Sequence, residues 1–431
     1  CTCNNGADMS QKESHQVVLK SVQTIFAHLL GSELQFYTPK FFWNHFRFGG
    51  QAVNVREQQD ALEFYNAIFD SIDEGMKAAG ESPICELLFG GTFADQKICK
   101  DCPHRYQREE TFTSISLDIR SHNNLIASLK EYVKGDLLNN DNAYFCEQCG
   151  CKVTAVKRLC LAKLPPYLTI QLKRFDFDWE RDSPQKYNDY FEFPLELDMM
   201  PYTAQGLAKA EAEANKEVQV HPIASDSGDH RSVTSEESLL TGGSSFMEID
   251  DLKKYSTFYR LRGVVVHSGQ ANGGHYYSFI RSEEDGGHWY KFDDIDVTKW
   301  QLTKEEMQNM WFGGDYLTDP YDCNSKGFQK RRQKRWWNAY LLIYEKTLPD
   351  KLSGAFSEES NTSAVLSRSS SLCNNDLSNS STMETHPKQL FSLSLSSRMR
   401  QMPPKLEALI RGKNTRSMHE RSQYTQQYFH F

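Results

Sequence analysis

The chain has 431 residues, of which 39% are hydrophobic and 12% aromatic, enough for one large domain or two ordinary ones around a substantial core. A formal net charge of −8 argues against general nucleic-acid binding, and no run is long and apolar enough to insert into a membrane. Eleven cysteines without a secretory leader argue against a disulfide scaffold and for an intracellular, reduced chain, cytoplasmic with the nucleus as a second compartment.

Two helices are expected first. Val18, Val22, Ile25, Phe26, Leu29 and Leu30 share one helical face within residues 16–30, and Leu62, Tyr65, Ile68, Phe69 and Ile72 do so within 57–72. After the breaker Pro165-Pro166, apolar Leu168, Ile170 and Leu172 alternate with polar Thr169, Gln171 and Lys173, the pattern of a half-buried strand. Residues 203–254 hold ten acidic and five basic residues with little periodicity, which predicts a disordered insertion in a loop. Further strands are expected at 258–266, 275–281, 288–292 and 338–344, with no helical crossovers between them, so the fold class is α+β with segregated layers. The basic run 330–335 abuts Trp336-Trp337 and a strand, and a structural role outweighs a localisation signal. A Ser-rich linker is expected over 347–401, followed by the start of a helical region at 402–431, where Leu406, Leu409 and Ile410 share a face.

Two features carry chemistry. Cys99-Lys-Asp-Cys102 and Cys146-Glu-Gln-Cys149 are C-x-x-C pairs separated by 43 residues, each able to form a knuckle, and together they supply the four thiolates of a closed tetrahedral Zn²⁺ site. A redox dithiol is the competing reading of one pair, while Cys151 lies close enough to exchange with a ligand and Cys85 and Cys160 read as buried thiols. Such a site leaves no open position for substrate, so the metal is structural and the reaction lies elsewhere. Gly273-Gly274-His275-Tyr276 precedes Trp289-Tyr290-Lys291-Phe292-Asp293-Asp294, which puts a histidine and a carboxylate on neighbouring strands, a base and its orienting group.

With these pieces in place, residues 16–344 resemble the ubiquitin-specific protease family of papain-like cysteine proteases. The likeness rests on Gln58-Gln59-Asp60-Ala61-Leu62-Glu63-Phe64, both C-x-x-C pairs, Gln171-Leu172-Lys173-Arg174-Phe175, Tyr190-Phe191-Glu192-Phe193-Pro194, Gly263-Val264-Val265-Val266-His267-Ser268-Gly269 and the two runs just quoted. Phe312-Gly313-Gly314-Asp315-Tyr316 and Arg331 to Tyr340 resemble the fat facets-like subgroup. The resemblance implies a papain-like fold with a partial thumb (1–95), zinc-ribbon fingers (96–163), a palm in two parts (164–202 and 255–346), and the insertion, linker and helical start noted above. It implies that His275 is the general base, that Asp293 orients it, and that Asp294 assists at the oxyanion or in positioning the base. Gln58, Asp60, Glu63, Phe175, Gly273, Gly274 and Tyr276 would then hold ubiquitin's tail, for which a slot walled by glycines suits a Gly-Gly end. Asp60 has a second reading, a carboxylate favouring the N-terminus of its own helix.

The implied activity is deubiquitination by a cysteine protease, with ubiquitin and ubiquitinated proteins as partners. One departure stands out: the family's Asn-Ala-Gly-x-Thr-Cys box is absent, and Cys1 and Cys3 lack its glycine turn. Truncation upstream of Cys1 is the expectation, which makes the chain as given inactive. The alternative is a ubiquitin-binding scaffold that has lost catalysis, and it leaves His275 and Asp293 without a chemical purpose.

Overall fold

The computed structural model describes residues 5–218, 255–318, 321–322, 327–328, 331–348 and 402–422. Its contacts divide the chain into two compact units, Cys1–Cys85 with Asn361–Phe431, and Glu86–Ser360.

In the first unit, helices Asn5–Gly31 and Ala61–Ala78 pack against each other, with a short helix Lys40–His45 and a two-stranded turn beside them. Val18, Val22, Phe42 and Phe46 form the core, joined by Ile25, Phe64, Ile68 and Ile72. Close approach of the two helices depends on Gly75, where a Cβ would lie 2.7 Å from the His15 carbonyl. The expected single apolar face is only partly buried: Val18 and Val22 are buried, whereas Phe26, Leu29 and Leu30 are exposed. Asp60 is the N-cap of Ala61–Ala78, accepting hydrogen bonds from the Leu62 and Glu63 amides at 2.8 and 3.1 Å. We expect Asp60→Ala to cost about 1 kcal/mol in denaturant melts, the usual worth of such a cap. An unchanged midpoint would refute a capping role.

The helix Pro404–Ser422 completes this unit. Ile410 and Met402 bury against Ala27, whereas Leu409 is exposed, so the expected apolar face is narrower than the sequence implied. Asn414 fastens the contact, donating to the Gly31 carbonyl at 2.9 Å and accepting from the Glu33 amide at 3.0 Å.

The second unit is built on a sheet with strand order Asp296–Trp300, His288–Asp293, Gly273–Ser282, Phe258–Gln270, Trp337–Thr347, Tyr167–Leu172, Ile115–Leu117. Glu196–Asp198 adds to Phe258–Gln270, and every pairing is antiparallel except the last. Alternation along Tyr167–Leu172 sends Leu168, Ile170 and Leu172 into the core, as expected, although Thr169 on the other face is buried too. Phe193, Phe279, Trp289, Trp300 and Trp311 pack behind the strands that carry the His–Asp motif. A second sheet, Arg105–Phe112, Gly91–Cys99, Ala155–Lys163 and Asp136–Leu138, extends to a hairpin of Tyr144–Cys146 and Cys151–Val153.

Part of the stretch expected to be a disordered insertion is ordered. Residues Ala204–Val218 form a helix whose Glu211 meets the buried Arg158 guanidinium at 2.6 Å, a charge contact that composition does not reveal. Residues 219–254, and the Ser-rich linker from 349 to 401, lie outside the described residues, as do Cys1 and Cys3. The basic run forms a strand, Arg331–Lys334, paired with Asp315–Thr318, and Arg335 donates to the Gly313 and Asp315 carbonyls. Among the described residues no helix is long and apolar enough to cross a membrane.

Candidate active site and metal cluster

Antiparallel pairing of Gly273–Ser282 with His288–Asp293 brings His275 beside Asp293, eighteen residues apart in sequence, with Nε2 2.6 Å from Oδ1. His275 is exposed and Asp293 half-buried, so the ring is open to solvent on one side. The carboxylate is held from both ends, because Lys291 donates to Oδ2 at 2.7 Å while its ammonium lies over the Tyr277 ring. Lys291 first, and His275 after it, hold the Asp293 carboxyl below its usual range. An ionised acceptor on Nε2 fixes the ring tautomer and leaves Nδ1 free of that bond for chemistry. Asp294 occupies the two-residue turn into Asp296–Trp300 with φ +51°, a left-handed conformation that Asp tolerates better than most residues. Its carboxylate belongs with His275 and Asp293 to one cluster whose polar atoms lie within 4.8 Å of one another.

Beside this pair stands an aromatic group centred on the buried His267. Phe175 meets His267 edge-on at 5.0 Å and Tyr340 at 5.2 Å, while Tyr276 lies 4.9 Å from His267. Gly274 sits directly against His267, where a Cβ would collide with the imidazole, and Gly273 precedes it in the same strand. Phe175, Gly274 and Tyr276 thus surround His267, the cross-strand partner of the residue next to His275. Gln58, Asp60 and Glu63 belong to the first unit, where Asp60 has the capping role given above.

Two charged residues here escaped sequence reasoning as functional candidates. Lys291 stood in a quoted motif, and its spacing of two from Asp293 on a strand, which puts both side chains on one face, was the available signal. Lys186 is nine-tenths buried and gives its three protons to backbone carbonyls: His267 at 3.0 Å, Gly269 at 3.2 Å and Trp336 at 2.8 Å. Burial, with Arg174 nearby, lowers its proton affinity, and these carbonyls offset part of that cost. Arg174 is likewise buried and bonds the carbonyls of Ala339, Tyr187 and Asp189. No local pattern announces either arrangement.

At the far end of the second sheet the structure gathers three of the four expected cysteines with a histidine, His104, in place of Cys99. Cys102, His104, Cys146 and Cys149 bring their ligand atoms within 4.8 Å of one another, with His104 Nδ1 3.4 Å from Cys146 Sγ and 3.3 Å from Cys149 Sγ. Cys99 lies outside this set. It is the last residue of its strand, paired with Ala155, and packs with Cys146, Val153 and Cys102, while its amide donates to the His104 carbonyl across the turn that follows. The Tyr106 hydroxyl, helped by the Cys149 amide and His104, pulls the Cys146 thiol down to about 6, while burial and the Cys102 thiol raise Cys99 to about 11. Three sulfurs and one imidazole nitrogen converging this closely fit a tetrahedral metal ion. Cys151 is exposed on the hairpin, and Cys85 and Cys160 are buried as expected.

Comparison with known proteins gives concordant results. The family described as "Ubiquitin carboxyl-terminal hydrolase" matches residues 2–344. Ubiquitin carboxyl-terminal hydrolase 9X of Mus musculus is 46% identical over 426 residues, which cover 98% of this chain and 15% of that protein. The Drosophila melanogaster "Probable ubiquitin carboxyl-terminal hydrolase FAF" is 42% identical over 434 residues, covering 100% of this chain and 14% of that protein. The chain thus spans about a seventh of the length of the curated relatives it matches. A solved structure of the SAGA Ubp8/Sgf11/Sus1/Sgf73 DUB module bound to ubiquitin aldehyde aligns with TM-score 0.44 and 24% identity, over 68% of this chain and 50% of that one.

Proposed function

Because the chain belongs to the ubiquitin carboxyl-terminal hydrolase family, in its fat facets-like subgroup, we propose that it is the catalytic region of a deubiquitinating cysteine protease acting on ubiquitin conjugates. The observation that carries this reading is the 2.6 Å bond from His275 Nε2 to Asp293, which leaves Nδ1 as the nitrogen that serves a thiol. His275 takes the thiol proton, and the thiolate attacks the carbonyl carbon of ubiquitin's terminal glycine. The proton passes to the departing lysine amine, leaving a thioester. His275 then takes a proton from water as it attacks the thioester, and returns it to the thiolate. Asp293 stabilises the imidazolium formed in each half, and Asp294 is assigned to the oxyanion or to the placement of His275. Phe175, Gly273, Gly274 and Tyr276, with Gln58, Asp60 and Glu63, are assigned to ubiquitin's tail.

The cysteine–histidine cluster is assigned to one structural Zn²⁺, the ion that this mixed sulfur and nitrogen set suits. Its residues orient one another and pin the hairpin Tyr144–Val153 to the turn after Cys99. An intracellular, reducing compartment suits both the ligands and a thiolate nucleophile.

A ubiquitin probe with a thiol-reactive C-terminus tests the reading. The chain is expected to stay unlabelled, and a longer form carrying an Asn-Ala-Gly-x-Thr-Cys box is expected to be labelled there only while His275 is present. Labelling of Cys1 or Cys3 that depends on His275 would move the nucleophile to that residue. Labelling indifferent to His275→Ala would overturn the mechanism.

A further inference from the structure

Lys186 ends a small hairpin, Phe175–Asp178 with Ser183–Lys186, whose base is held by buried cations on both sides. Arg174 secures one side to Ala339, and Lys186 secures the other to the turn region before His275. An ammonium has three protons, and three carbonyls receive them, with no carboxylate among its bonded partners. Residues two apart on a strand send their carbonyls to the same edge, so those of His267 and Gly269 both face the strand that begins at Trp337. Trp336 closes the gap, because its carbonyl also accepts the Gly269 amide at 2.9 Å. Between the two clamped residues lies Ser268, the direct cross-strand partner of His275. Gly269 itself is at φ +138°, where a Cβ would come within 2.6 Å of Gly273 and Gly274, so the turn is tight and has no slack on that side.

We propose that Lys186 is a positioning residue for His275: its ammonium clamps the backbone on both sides of Ser268 and thereby sets the height and tilt at which the His275 strand leaves the turn. The inference rests on the catalytic reading only for its consequence in turnover; the mechanical statement concerns the imidazole alone. Removing the ammonium takes one donor from each of the three carbonyls, of which that of Trp336 keeps a second one, the Gly269 amide, and the cheapest relief is a shift of the turn. A displacement on the order of 1 Å at a catalytic group costs up to about 100-fold in rate.

The test uses the chain labelled at histidine for imidazole resonances, with Lys186→Met, Lys186→Gln and Lys346→Met. Lys346 is the comparison because it is a half-buried lysine of the large sheet that, like Lys186, is bonded to a backbone carbonyl, that of Leu164 at 3.0 Å. Lys186→Met is expected to move the His275 resonances and weaken the sign of its bond to Asp293, Lys186→Gln to do so partially, and Lys346→Met to leave them in place. In a form active on a ubiquitin C-terminal amide, Lys186→Met should lower kcat roughly 10- to 100-fold with KM little changed. Should Lys186→Met fail to fold, the Gln variant carries the comparison. Unmoved His275 resonances in a folded Lys186 variant, or equal movement in Lys346→Met, would overturn the proposal. Moved resonances in a protein that never processes ubiquitin would uphold the positioning role and reject the catalytic reading instead.

Discussion

Asp293→Asn is expected to lower turnover of a ubiquitin C-terminal amide by roughly 10⁴-fold, and His275→Ala by at least as much, in a form of the protein that carries its nucleophile. The two effects should not multiply in the double variant, because Asp293 acts only through the ring it holds. An asparagine can fill the space and its Oδ1 can still accept from Nε2–H, but a neutral amide stabilises an imidazolium far less than a carboxylate does. Lys291→Met gives a milder and more diagnostic result. Lys291 is the first cause of the lowered Asp293 carboxyl, so its removal should shift the acid limb of the pH–rate profile upward. The sign for stability follows the same way: the folded carboxyl titrates below the unfolded one. Its contribution is therefore present above the ordinary carboxylate range and is lost as pH falls through the lowered value. A pH–rate profile identical in Lys291→Met and the parent would show that the lysine does not tune the pair.

Loss of the metal cluster should be the other large effect. Cys146→Ser and His104→Ala are each expected to bring bound zinc from one ion per chain to near none and to melt the finger hairpin, since binding on the order of 10 kcal/mol is folding free energy in such sites. Chelation should reproduce the melting in the parent. Cys99→Ser should keep its zinc and lose only the packing of one small buried side chain. Elemental analysis of the three variants decides between ligand sets. Zinc lost from Cys99→Ser and retained by His104→Ala would restore the four-cysteine arrangement.

The contrast between Cys99 and His104 shows where sequence patterns stop. A C-x-x-C spacing states that two thiols can converge, but it does not announce a histidine two residues further on, and the turn after Cys99 brings His104 to the Cys102, Cys146 and Cys149 sulfurs. Apolar alternation made Tyr167–Leu172 legible because one face of that strand meets the core. The His–Asp pair was legible for a similar reason: two short strands joined by a turn put residues 275 and 293 in neighbouring rows. Lys186 and Arg174 were not, since a cation satisfied by backbone carbonyls from distant segments leaves no periodic or pairwise trace. Helix Ala204–Val218 was missed because its Ala-rich start was read together with the polar stretch that follows, and because its anchoring partner, Arg158, comes from a distant strand.

The position of Trp337–Thr347 in the sheet bears on how the protein is made. It lies between Phe258–Gln270 and Tyr167–Leu172, yet it is the last strand of that sheet to be synthesised. Until it leaves the ribosome, those two strands have no neighbour to separate and join them, and each presents an open, largely apolar edge. Pairings this distant in sequence form slowly, and exposed edges in a nascent chain recruit other chains. Length in the intervening loops adds little to that delay, because closure entropy grows only with the logarithm of loop length. The vulnerable interval is set by translation and ends only when residue 347 has emerged.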